Sequence, residues 1–149
     1  MLVGVDNMEE TEIYVLNNKR KISEIKKFLL LFIKERTLQG DIFCIPEFNC
    51  DNSKIIFYDE ESILQYLINH PTEEYGLYWK NNKISNISTA MIFFTKDKNM
   101  ILGLSVIENI EETLKELKNL CKSKYSYIAF EEVPPLNKKE FIERCKISN

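Results

Sequence analysis

One histidine, His70, stands in the whole chain. Any mechanism that needs a histidine pair is therefore excluded, and a Ser-His-Asp or Cys-His arrangement would have to use that single ring. Its position, at the end of a helical run and just before Pro71, suits an imidazole set against terminal carbonyls better than a catalytic base. Glycine is scarce as well: only four occur, none at the spacing of a phosphate-cradling loop, so nucleotide binding through such a loop is not expected. Gly103 falls inside a strand-like run, where a bulge or a close backbone approach accounts for it. The four cysteines, Cys44, Cys50, Cys121 and Cys145, lack the Cys-x-x-Cys spacing and nearby histidine of a zinc site and are expected to be free thiols. Long apolar runs are missing too. Leu29 to Ile33 is bracketed by Lys26, Lys27, Lys34 and Glu35, far short of the roughly 20 residues that span a bilayer. The opening residues Met1 to Asp6 carry no basic stretch and no long apolar core, which argues against a secretory signal and for a cytoplasmic location.

What remains is an ordinary globular composition. At 149 residues, 44% hydrophobic and 29% charged, the chain suits one domain with a sizeable core. We assign residues 1–10 to an N-terminal tail and 11–149 to a single α+β domain. The net charge of -3 arises from 20 basic and 23 acidic side chains, so no strong field favours a nucleic-acid backbone. The short basic runs Lys19-Arg20-Lys21 and Lys26-Lys27 read as a solvated helix face. No cofactor or metal is expected, and no membrane contact.

Along the chain, Glu12 to Leu16 has the β-branched and aromatic content of a strand and Asn17-Asn18 a turn. Ile22 to Glu35 repeats Ile25, Phe28, Leu29, Phe32 and Ile33 at helical spacing, with Ser23 as a candidate cap. Arg36 to Ser53, broken by Gly40, Pro46, Asn49, Asp51 and Asn52, reads as a long loop whose Phe43, Ile45 and Phe48 pin it to the core. Lys54 to Tyr58 follows as a strand, then a helix capped by Asp59 and ending near Asn69. Tyr75 to Lys80, Ser88 to Thr95 and Met100 to Val106 form three successive strands. The last two are apolar on both faces and so belong in the middle of a sheet, with Tyr75 to Lys80 on the outside. Asn109 and Glu112 have capping-box spacing ahead of a helix running to Cys121. Tyr125 to Glu131 is a strand ended by Pro134-Pro135, and Asn137 with Glu140 opens a terminal helix. The expected architecture is a mainly antiparallel central sheet containing a three-strand meander, packed by about four helices.

Chemistry is harder to place. The acidic pairs Glu60-Glu61, Glu73-Glu74 and Glu111-Glu112 are sequence neighbours whose side chains diverge, so they do not define a dyad. Glu131-Glu132 differs, because it ends a strand just before a stiff Pro-Pro turn and is held at the sheet edge. Trp79, Tyr75, Tyr78, Tyr125 and Tyr127 are candidate interface anchors, although strand alternation already requires apolar positions there.

The segments Tyr78-Trp79, Ala90 to Asp97, Met100 to Val106 and Phe130-Glu131-Glu132-Val133-Pro134-Pro135 resemble those of small bacterial immunity proteins. The resemblance covers the C-terminal half, and departs from the family where Asp97-Lys98-Asn99 replaces an Asp-Gly hairpin. It implies a cytosolic partner of a secreted or contact-delivered toxin, often a nuclease, neutralised by covering its active site or a nearby surface. On that reading the chain is no enzyme, and Glu73, Glu74, Trp79, Glu131 and Glu132 form an acidic and aromatic contact surface for the cognate toxin. The alternatives are a small hydrolase-like enzyme using carboxylates or Cys44, and a general adaptor.

Overall fold

Residues 9 to 148 are described by a computed structural model of the chain. The elements run in the order β1 (Thr11–Asn17), α1 (Ile22–Phe32), β2 (Arg36–Leu38), β3 (Phe43–Ile45), β4 (Ile55–Phe57), α2 (Glu60–Asn69), β5 (Tyr75–Asn81), β6 (Ile87–Phe94), β7 (Met100–Val106), α3 (Ile110–Cys121), β8 (Ser126–Ala129) and α4 (Lys138–Ser148). Six strands make one antiparallel sheet in the order β2-β5-β6-β7-β1-β8, while β3 and β4 pair separately. The α+β architecture, the β5-β6-β7 meander and the four α-helices are as the sequence predicts. So is the central place of β6 and β7; β7 is buried along its whole length.

Alternation along the strands sends two apolar sets to opposite faces. Ile13 and Val15, Ala90, Ile92 and Phe94, Leu102 and Leu104, Leu77 and Trp79 meet one core with the inner stripes of α1, α2 and α3. Burying each leucine or isoleucine there contributes about 2 kcal/mol. Tyr14, Leu16, Met91, Phe93, Ile101 and Tyr127 face the other way and meet Phe141 and Cys145 of α4. Among the described residues one helix serves this second face, α4, packed against β8.

Caps decide several boundaries. Asp59 accepts the Ser62 N–H at 2.8 Å and starts α2 as predicted, and Asn137 accepts the Glu140 N–H at 2.8 Å ahead of α4. Ser23 does not cap α1. Lys21 holds that position in extended backbone without a side-chain bond, and the helix ends at Phe32, not Glu35. Asn109 precedes α3 in the left-handed region (φ 54°) and makes no capping bond, so the predicted capping box is absent. Thr113 Oγ1 instead donates to the Asn109 carbonyl at 2.8 Å. The strand predicted over Tyr125 to Glu131 is shorter because Glu131 turns to φ 52°, ahead of the prolines.

The segment 36–53 is not the loop its composition predicts. Arg36–Leu38 adds β2 outside β5, so Tyr75 to Lys80 is not the outer strand. Phe43–Ile45 forms β3 against β4, followed by a 3₁₀ turn at Cys50–Asn52. Strands of three residues leave no readable period in the sequence. Phe43 and Ile45 do pin the segment to the core, whereas Phe48 is 95% exposed. The same fold brings the Cys44 and Cys50 Cα atoms to 5.3 Å and joins them in a disulfide, which corrects the expectation of four free thiols; Cys121 and Cys145 are free and buried.

Arg20 is a second correction. Far from lying on a solvated face, it is buried and donates to the carbonyls of Leu67, His70, Glu73 and Thr95 at 2.8 to 3.1 Å. Its guanidinium lies 4.9 Å from the centre of the Phe94 ring. Burial pulls it down to about 10, so it stays charged at neutral pH. The unpaired carbonyl end of α2 is thereby joined to the residue that follows β6 by one cation.

Candidate functional site

Because α4 packs against β8 on the second sheet face, the middle of that face lies beside the helix and not under it; Tyr14, Met91 and Phe93 there are buried and Tyr78 is 36% exposed. Its floor is set by register. Tyr14 lies opposite Gly103, Met91 opposite Gly103 and Tyr78 opposite Met91, so these positions share one row across four strands. Gly103 keeps that row low. A Cβ there would stand 2.7 Å from Tyr14 Cε1 and 3.2 Å from Met91 Cε, well inside van der Waals contact. The Tyr14 ring therefore lies across the β7 backbone, so side chains, and neither a bulge nor a second backbone as the sequence predicts, take the room at this glycine.

The far rim is built by the segment after β8. The left-handed turn at Glu131 sends residues 131–133 back over the sheet. The Glu131 N–H donates to the Glu12 carboxylate, and the Tyr14 hydroxyl donates to the Glu132 carbonyl at 2.7 Å. Arg144 of α4 holds the Glu132 carboxylate at 2.6 Å while lying 4.3 Å from the Tyr127 ring centre. The outcome is a groove of about 270 Å³ with Tyr78, Met91 and Phe93 on its floor and Glu12, Glu131 and Glu132 along one side.

At the other end, along β5, the Glu47 carboxylate accepts the Gly76 N–H at 2.9 Å. Gly76 is opposite Phe93 and two residues from Tyr78, so Glu47 stands just past the exposed tyrosine. Burial raises Glu47 to about 7, its bond from Gly76 opposing this and the nearby Glu74 charge adding to it. Glu12 is also raised, first by burial, against the hydrogen bond from Glu131 and with the charges of Glu10 and Glu131 contributing. Tyr78 is raised by burial and then by Glu47. Carboxylates thus sit at both ends of an apolar floor, and each prefers an environment with added positive charge.

Of the residues singled out by sequence, Glu131 and Glu132 line the groove. Glu74 is half-buried and acts on Glu47 through its charge. Glu73 is half-buried two residues before β5, and its carbonyl accepts from Arg20. Trp79 does not belong to the surface. It is fully buried on the opposite face, its Nε1 donating to Glu60 at 2.6 Å, because alternation that turns Tyr78 out must turn Trp79 in. β5 and β8 lie on opposite sides of the sheet centre, so Tyr75 to Lys80 does not run beside Glu131-Glu132. The two meet only where 131–133 folds back across the face. Glu12 and Glu47 escaped the sequence reading; Glu12 had a signal, an acidic residue on the same alternation as Tyr14 in a strand.

Elsewhere, His70 stacks on Tyr66 with ring centres 3.9 Å apart and sets Nδ1 2.9 Å from the Tyr66 carbonyl, the helix-end role expected of it. Cys44 and Cys50 are joined to each other, so neither is the thiolate of a Cys-His pair. Among the described residues no group of three or more His, Cys, Asp or Glu is placed to hold a metal ion, and no helix is long and apolar enough to cross a membrane. No family model, curated protein or solved structure matches the chain.

Proposed function

We propose that the protein is an immunity protein, which binds a cognate toxin in the cytoplasm and neutralises it by occlusion, with the acidic groove as its contact surface. The observation that carries this reading is the groove itself: an apolar floor with Tyr78 turned outward, flanked by Glu12, Glu131 and Glu132 on one side and Glu47 on the other. Val133 and Phe130 beside it are 62% and 67% exposed, supplying apolar contact next to the charge. A toxin that acts on nucleic acid must carry basic side chains to hold phosphates, and those side chains complement this rim. Such complementarity speeds encounter, while the aromatic and aliphatic groups at the centre slow release. Glu47 lies inside the Cys44–Cys50 ring, whereas Glu12, Tyr78, Glu131 and Glu132 lie outside it, so a reducing cytosol would leave that side of the surface in place.

The test is coexpression with the product of an adjacent toxin-sized reading frame, scored by growth and by calorimetric titration of the purified pair. Protection and binding are expected, and Tyr78→Ala combined with Glu131→Lys should weaken binding by at least about tenfold through lost anchor and charge contacts. Full-strength binding by that variant would remove the groove from the reading; no binding and no protection would remove the reading itself.

A further inference from the structure

The sheet ends at β8, and its pairing leaves one row of backbone groups unused. Leu16 N–H donates to the Tyr125 carbonyl at 3.0 Å. By the two-residue repeat of an antiparallel ladder, Tyr127 and Ala129 also turn their N–H and C=O groups toward β1. Those of Ser126 and Ile128 consequently point away from the sheet, where no strand follows among the described residues. Beside this edge runs a groove of about 460 Å³ between β8 and α3, lined by Leu114, Ile128, Lys115, Lys118, Asn119 and Glu111. Leu114 and Ile128 are both only half-buried.

We infer that this edge is a second interaction surface, which takes up an extended acidic segment of a partner protein as a seventh strand. It goes beyond the acidic groove, which is on the other face and suits positive charge. Three features select the occupant. The outward amides and carbonyls of Ser126 and Ile128 are matched only by another extended backbone. Leu114 and Ile128 offer a place for an apolar side chain on the α3 side of the added strand. Lys115 and Lys118, on the same face of α3 one turn apart, would meet acidic side chains that alternate with it. A second copy of the chain is a poor occupant, since pairing β8 with β8 would gather two sets of these lysines at one seam. Nucleic acid fits poorly too: Glu111 stands in the groove and the protein is net negative.

The experiment uses the full chain and a fluorescein-labelled peptide of about eight residues, a usual strand length, in which valine alternates with glutamate. The controls are the same peptide with lysine for glutamate, and oligothymidine. Anisotropy should show saturable binding of the glutamate peptide only. Lys115→Glu with Lys118→Glu should weaken it by at least about tenfold, and amide exchange at Ser126 and Ile128 should slow when it binds. Equal binding of either control, unchanged exchange at those two amides, or no binding below about 1 mM, where affinity falls to about 4 kcal/mol, would overturn the inference.

Discussion

Glu47 makes the stability of the fold depend on pH in a direction opposite to that of most carboxylates. Its side chain is half-buried above β5, and burial raises it from an ordinary 4.5 to about 7. A carboxyl whose folded pKa lies above its unfolded value favours the fold while protonated. That contribution is fully present below about 4.5 and is lost as pH rises through about 7. Each tenfold change in acid constant corresponds to about 1.4 kcal/mol, which sets a ceiling of about 3.5 kcal/mol. Water reaching a half-buried group screens this, so about 1 to 2 kcal/mol is the expected effect. Glu47→Gln retains an oxygen for the Gly76 N–H and cannot ionise. Urea unfolding at pH 5, 6, 7 and 8 should therefore find variant and wild type nearly equal at pH 5 and the variant more stable at pH 8. At a denaturant slope of about 2 kcal/mol per molar, the midpoint gap at pH 8 should be about 0.5 to 1 M. Other carboxylates titrate in both proteins and cancel in the comparison. A gap that stays constant from pH 5 to pH 8 would refute the reasoning, since a purely steric or hydrogen-bond effect has no pH dependence.

Four further outcomes are expected. Arg20→Met should lower unfolding free energy by about 3 to 5 kcal/mol, because the buried Leu67 carbonyl loses its two bonds from the guanidinium and that of Thr95 keeps only a longer one, from the Lys98 N–H at 3.4 Å; Arg20→Lys, with fewer donors in a different geometry, should recover only part of this in the same urea assay. Gly103→Ala should cost about 1 to 3 kcal/mol by driving a methyl into the Tyr14 ring, and the double variant with Tyr14→Leu should cost less than the sum of the two single changes. Trp79→Ala should cost about 3 to 5 kcal/mol while Tyr78→Ala costs less than about 1, so thermal unfolding separates a core aromatic from a surface one. Reducing the Cys44–Cys50 bond should remove about 2 kcal/mol, the loop-closure entropy of so short a ring; alkylation without reductant followed by mass spectrometry should label neither cysteine of the pair.

The central strands announced themselves because they are apolar on both faces, and a strand with that pattern has nowhere to go but the middle of a covered sheet. Asp59 and Asn137 were legible because a cap is a local bond between residues three apart. Asn109 has the same spacing, yet its backbone enters the left-handed region, a choice made by the turn from β7 and not by the tetrapeptide. Arg20 sits in a run of three basic residues and nothing local separates it from its neighbours. Its burial depends on carbonyls from α2, β5's approach and the residue after β6, which no pattern within a window can assemble. The groove was half legible. Glu131 and Glu132 were marked by the prolines after them, but Glu12 and Glu47 join the site only through a strand pairing and a loop that crosses to β5. Trp79 was misplaced by reading aromatic character without strand parity.

The first strand among the described residues is an interior strand of the sheet. β1 sits between β7 and β8, with Thr11 opposite Val106 and Glu12 opposite Ala129. Nothing it pairs with has been synthesised when it leaves the ribosome, and α1 then has only half a surface on which to pack. The meander can zip locally, but the sheet closes only after β8 appears, through contacts that span most of the domain. Such long loop closures slow folding, and meanwhile β1 offers two unpaired backbone edges between two largely apolar faces. The nascent chain should therefore spend its growth with an open slot at the heart of its own fold, and a chaperone or a stray strand has until the C-terminal segment emerges to find it.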